Sequence, residues 1–405
     1  MSAHELPFFF TWSAQNDAFP VEISAGFGSY FETPEGLRIL DLGSLTYQAN
    51  AGHGNQRIIE AVKNQADRLC LSMPSAVYPE KVELAERLLE IAPPGYSKVF
   101  FTLGGSDANE TALKIARMVT GRFKAIARYR SYHGATMGAA SLSGDWRRVA
   151  VEPGLPGVLH VLDDMSQSRS RIADVLDYEG NVGAVFVESV VGANGVLIPT
   201  PEYMRSLRNA CDAHGALLVF DEVLVGFGRT GSWFAFEHFE VAPDMITCGK
   251  ALTAGYGVLG AVLVHKRVAS HFESNVLASG LTHYAHPLGV AAALAALKVY
   301  EEDGLIERAA ELEPSLRDAL IEWRALETVG ESRVLGLLSG TELHLSQKAF
   351  RRLPEALWRR GVHAHVKPGP GVLVLSPPLS IELEELQEGL AKVREAIEEV
   401  SKEEA

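Results

Sequence analysis

A chain of 405 residues with 47% hydrophobic and 22% charged residues has the make-up of a globular protein of two or three domains, not of a disordered or fibrous one. Its formal net charge of −14 argues against nucleic acid or an anionic membrane as partner, because both need a basic footprint. Three widely spaced cysteines (Cys70, Cys211, Cys248) form neither a disulfide framework nor a zinc ligand set, so no metal site and a reducing, cytoplasmic home are expected.

No basic segment precedes the apolar patch 6–12, so no secretory leader is expected. Up to about residue 50 the pattern is of short strands and loops rich in aromatic residues (Phe8, Phe9, Phe10, Trp12, Phe27, Tyr30, Phe31), which read as core. From there short β-branched runs alternate with helical patterns. Strands are expected at 99–102, 125–127, 158–161, 183–188, 216–221, 245–248 and 260–264, with helices at 109–120, 171–177 and 202–214 between them. Several of the runs are apolar throughout, as strands covered on both faces should be. The longest stretch without Lys, Arg, Asp or Glu, 274–297, contains His283, Tyr284, His286 and Pro287 and does not read as a membrane span. It leads into an alanine-rich helix at 287–300, and 382–402 is a charged amphipathic helix. The pattern predicts an α/β fold: a large domain at 56–298 with a mainly parallel sheet, and a smaller α+β domain built from 1–55 and 299–405.

Three segments carry chemistry. Thr102-Leu103-Gly104-Gly105-Ser106-Asp107 follows a strand and opens a helix, where close backbone approach and free N–H groups suit an anion. An ordinary capped strand–helix turn would read the same way. No lysine stands at the P-loop position, which argues against a nucleoside triphosphate. Leu217-Leu218-Val219-Phe220-Asp221 ends a buried strand in an acid, at the edge where α/β sheets bind ligands, although a structural ion pair would also explain it. Lys250, in Thr247-Cys248-Gly249-Lys250-Ala251, follows an apolar strand among small residues, where desolvation lowers an amine's pKa; a solvated surface lysine is the plain alternative. The run Gly226-Phe227-Gly228-Arg229-Thr230-Gly231 matches a dinucleotide fingerprint in letters only. It follows two carboxylates that would repel a pyrophosphate, leaving an NAD-dependent dehydrogenase as a distant alternative. A phosphate cradle, an acid at a strand end and a desolvated lysine are together what pyridoxal phosphate requires.

The segment from Phe220-Asp221-Glu222-Val223 through Gly226–Gly231 to Pro243-Asp244 and Gly249-Lys250-Ala251 resembles the signature of the class III, fold type I pyridoxal-phosphate aminotransferases, and the resemblance spans nearly the whole chain. It implies Lys250 as the Schiff-base lysine and proton shuttle, and Asp221 as partner of the pyridine nitrogen. Val223 and Tyr132 would cover the two ring faces, and Gly105 and Ser106 would hold the phosphate. Glu188 and His133 would stand close to the cofactor. Thr282 would reach the phosphate of a neighbouring subunit, implying a homodimer with shared active sites. For substrate, Tyr47 and Trp12 would wall the pocket and Lys367, in Lys367-Pro368, would stand where amine:pyruvate relatives carry a mobile arginine.

Ornithine-type relatives carry an arginine before a Pro-Pro pair and a gating glutamate. Here those stretches read Val374-Leu375-Ser376-Pro377-Pro378 and Gly192-Ala193-Asn194-Gly195. The resemblance therefore implies transfer from an ω-amino acid or amine (taurine/β-alanine type or arylalkylamine) to a 2-oxo acid, pyruvate being expected. Aminomutase, decarboxylase and epimerase outcomes remain open on the same scaffold.

Overall fold

Residues 6–367 and 369–402 are described by the computed structural model; residues 1–5, where a leader would begin, and Pro368 lie outside them. The N-terminal part supplies β1 (Ala25–Phe27), β2 (Tyr30–Glu32) and β3 (Arg38–Asp41). The middle supplies β4 (Tyr96–Thr102), β5 (Lys124–Arg128), β6 (Val158–Val161), β7 (Val182–Glu188), β8 (Leu217–Asp221), β9 (Met245–Cys248) and β10 (Gly260–His265). The C-terminal part adds β11 (Val329–Leu335), β12 (Leu338–Leu343), β13 (Val362–His363), β14 (His365–Lys367) and β15 (Val372–Leu375).

The central sheet has the order β4-β10-β9-β8-β7-β5-β6, with β10 antiparallel to both neighbours and every other pairing parallel. The mainly parallel α/β architecture is therefore as expected. Every residue of β7 is buried, and in β8 only Leu217 is partly open, which explains their unbroken apolar runs. Register decides what lies at the sheet's edge: Glu188 pairs with Asp221, and Asp221 with Thr247. Three polar side chains thus stand in a row at the carboxyl ends of adjacent parallel strands, where open α/β sheets bind ligands.

The ends of the chain meet. β13 pairs in parallel with β3, completing the sheet β1-β2-β3-β13, while β11-β12-β15-β14 forms another. Arg229, fully buried, joins these parts to the centre. Its Nη1 donates to the carbonyls of Leu337 (3.0 Å) and Pro377, and its Nη2 to Ser44 Oγ (3.2 Å) and Asn50 Oδ1 (2.6 Å). The glycine-rich run around Arg229 makes turns and opens no helix, so its likeness to a dinucleotide fingerprint ends with the letters.

The expected helices stand at Gly105–Thr120, Arg171–Tyr178, Pro201–His214, Pro287–Glu302 and Leu383–Lys402. Among the described residues four more of eight residues or longer, at Gln56–Arg68, Pro79–Ile91, Leu305–Trp323 and Gln347–Arg359, were not among the expectations; Pro314 and Pro354 inside the last two interrupt the helical signal. The aromatic N-terminus departs from its reading as core: Phe31 is buried, but Phe8, Phe9 and Trp12 are 59%, 87% and 51% exposed. Among the described residues no helix is long and apolar enough to cross a membrane, and no group of three or more His, Cys, Asp or Glu is arranged to hold a metal ion.

Candidate active site

Asp221 is fixed from three sides before any ligand is considered. His133 Nδ1 and Asn109 Nδ2 each lie 2.8 Å from Oδ2, and the Val223 backbone N–H donates to Oδ1 at 3.0 Å. Asn109 is itself oriented, because its Oδ1 accepts the Thr247 hydroxyl at 2.9 Å and its Nδ2 also donates to the His133 carbonyl at 2.8 Å. With Nδ1–H given to the carboxylate, His133 Nε2 is left buried without a partner among the described residues. Such a network holds a carboxylate in one orientation.

Beside it, Glu188 accepts backbone N–H groups from Tyr132 and Gly192, each at 3.0 Å, and burial pushes its pKa up. Lys250 begins the turn after β9 with φ 43°, a left-handed conformation costly for a side chain of this kind. Burial lowers the pKa of its amine, against the opposing pull of Asp221 and Glu188.

These residues face a cavity of about 320 Å³. Its floor is the start of the helix Gly105–Thr120. A Cβ on Gly105 would lie 2.5 Å from Val223 Cγ1, and one on Gly134 would lie 2.3 Å from Ser106 Oγ, so the close packing here requires glycine at both positions. One wall is Tyr47, stacked on His365 with ring centroids 4.0 Å apart and its hydroxyl buried without a partner among the described residues. Also in the lining, the Arg147 guanidinium lies 3.8 Å from the centroid of Tyr132 and 5.3 Å from that of Trp12. Lys367 completes the lining; burial, with Arg147 and Lys250 nearby, lowers its pKa to about 8.

Residues 11–397 match the family model described as aminotransferase class-III. The chain belongs to the class III aminotransferases. An omega-aminotransferase of Caulobacter vibrioides is 34% identical, with 94% of each chain covered. The taurine:2-oxoglutarate aminotransferase of Bifidobacterium kashiwanohense, solved with pyridoxal phosphate and glutamate, superposes with a TM-score of 0.94 at 37% identity, covering 99% of this chain and 97% of that one. The omega transaminase of Pseudomonas jessenii, solved with pyridoxamine phosphate, gives 0.91 at 27% identity, covering 98% and 96%. The sheet is accordingly that of a fold type I enzyme, and the family's cofactor is pyridoxal phosphate.

The cavity fits that cofactor: the glycine-bearing start of a helix for a phosphate, with an oriented carboxylate and an amine within the same walls. Of the residues expected from sequence, Lys250, Asp221, Gly105, Ser106, Tyr132, His133, Glu188, Val223, Tyr47, Trp12 and Lys367 all line this one cavity. Thr282 does not; it is exposed on the surface, outside the lining. The sequence reading missed Arg147 in the lining, and Asn109 and Thr247 behind Asp221. Arg147 is the second residue of the four-residue helix Trp146–Val149 capped by Asp145, too short for periodicity to reveal.

Proposed function

We propose that this enzyme moves the amino group of an ω-amino acid ending in an acidic group, of the taurine/β-alanine type, to a 2-oxo acid such as pyruvate, by a ping-pong route. The observation that carries the choice of donor is the pair of cations, Arg147 and Lys367, lining the same cavity as Lys250. With an uncharged arylalkylamine as donor, one cation would serve the acceptor's carboxylate and the second would bear its desolvation without a partner. The taurine-specific name of the relative from Bifidobacterium points the same way.

Bound pyridoxal phosphate supplies an electron-withdrawing ring that stabilises negative charge on the donor's reacting carbon. The N–H groups at Gly105 and Ser106 would hold its phosphate at a helix start. Asp221, oriented by the donors around it, would hold a proton on the ring nitrogen, and Val223 and Tyr132 would cover the ring's faces. Lys250 Nζ would attach the cofactor covalently, leave when the donor arrives, and then carry a proton between the donor carbon and the cofactor; burial lowers the pKa of this amine, in the direction that favours the neutral form this needs. Arg147 would take the donor's acid group through charge-assisted hydrogen bonds, and Lys367 the acceptor's carboxylate.

We also propose that two chains pair. Thr282 has no role in its own cavity, and Leu71, Val77 and Val276 stand 77%, 82% and 84% exposed. Val77 lines one groove with Tyr284, two residues beyond Thr282. A partner covering that face would place Thr282 at the other chain's phosphate. The cytoplasm is the proposed compartment.

The test is a donor panel of taurine, β-alanine, 4-aminobutyrate and 1-phenylethylamine, each with pyruvate and with 2-oxoglutarate. The acid-ended donors are expected to lead by tenfold or more, as about 1.4 kcal/mol of charge recognition gives. A lead for 1-phenylethylamine would overturn the donor assignment, and a lead for 2-oxoglutarate would replace pyruvate as acceptor.

A further inference from the structure

Arg147 does not hold its own position. Its Nε lies 3.1 Å from both carboxylate oxygens of Asp145, and Nη2 donates to Asp145 Oδ2. Asp145 in turn accepts the Arg147 backbone N–H at 3.0 Å as the cap of the short helix Trp146–Val149, and Asn194 Nδ2 at 3.3 Å. Asn194 sits in a loop pinned from outside. Its carbonyl accepts Arg130 Nη2 at 2.9 Å, and the next carbonyl, Gly195, accepts Arg333 Nε and Nη2 at 3.2 and 3.0 Å. The same loop gives Ala193 to the cavity lining.

The consequence is directional. Asp145 occupies the Nε–Nη2 side of the guanidinium, and stacking on Tyr132 fixes its plane. Among the described residues nothing accepts from Nη1, so one edge of a planar donor fork remains for a ligand. Asp145 itself is 9% exposed at its side chain and Arg147 18%, so neither is a freely moving surface group.

We propose that Asp145, held by Asn194, is the positioning residue that sets the preference for acid-ended donors, by keeping Arg147 against Tyr132 with its free edge turned to the cavity. This rests on the reading of Arg147 as the acid-group site. The sign of the effect separates positioning from charge. If Asp145 acted only through its field, removing its negative charge would strengthen binding of an anionic donor. If it positions Arg147, removal releases a long side chain whose ordering the donor must then supply, and binding weakens.

The experiment measures KM for β-alanine and for 1-phenylethylamine in Asp145→Asn, Asn194→Ala and Arg147→Ala, and reads their ratio. Asp145→Asn is expected to raise the β-alanine to phenylethylamine KM ratio about tenfold, and Asn194→Ala, which leaves the Asp145 charge in place, about threefold. A general loss of folding would move both KM values and the melting temperature and leave the ratio unchanged. An unchanged or lowered ratio in Asp145→Asn overturns the proposal while Arg147→Ala still raises it. A ratio unmoved by Arg147→Ala would instead remove the acid-group site itself.

Discussion

Lys367 is poised so that a small change in pH changes its charge. Burial, aided by Arg147 and Lys250 and opposed by Asp145, brings its pKa down to about 8. The ammonium is therefore charged below that pH and neutral above it, so carboxylate binding that depends on it is present at low pH and lost as pH rises. The charged fraction drops from about nine-tenths at pH 7 to about one-tenth at pH 9; since apparent affinity scales with the competent fraction, preference for a carboxylate acceptor should fall about tenfold. A bound carboxylate stabilises the charged form, which shifts the midpoint upward and leaves the sign intact. The assay compares kcat/KM for pyruvate with that for an uncharged aldehyde such as propanal. Neither acceptor titrates in this range, so the ratio cancels the ionisation of Lys250 and of the cofactor. Lys367→Arg installs a cation that stays charged throughout and should flatten the ratio. A wild-type ratio independent of pH, or an arginine variant that follows the wild-type curve, would refute the reasoning.

Two further changes probe the frame. Gly105→Ala would drive a methyl group into Val223, with 2.5 Å to Cγ1, and should weaken binding of pyridoxal phosphate by tenfold or more, about 1.4 kcal/mol. Adding Val223→Ala should restore part of it by fluorescence titration, and wild-type affinity in the single variant would place the phosphate elsewhere. Arg229→Ala leaves four buried acceptors without their donor and should cost about 3 kcal/mol or more in urea unfolding. A change below about 1 kcal/mol would show that Arg229 is no clamp.

How much of this was legible in the sequence depends on distance along the chain. β7 and β8 announce themselves by unbroken apolar runs and β9 by a run interrupted only at Thr247, and Asp221 and Lys250 stand at or just past two of those runs, so local pattern sufficed. Asn109 gave no such signal, because its meaning lies in Asp221, 112 positions away. Arg147 was hidden for a different reason. Asp145-Trp146-Arg147-Arg148 reads as a capped surface turn, and only the fold brings Tyr132 and Trp12 onto the guanidinium. The aromatic N-terminus misled because hydrophobicity alone does not say whether a ring is buried: Phe8 and Phe9 are exposed, while Trp12 lines the cavity, where the family resemblance had put it.

The central claim is that the amine of Lys250 is the one that takes up the cofactor. Borohydride reduction of the enzyme loaded with pyridoxal phosphate, followed by peptide mass mapping, tests it directly. A phosphopyridoxyl group is expected on the peptide containing Lys250, and it should disappear, together with turnover, in Lys250→Ala. The same group found on another lysine, or transamination surviving in Lys250→Ala, would contradict it.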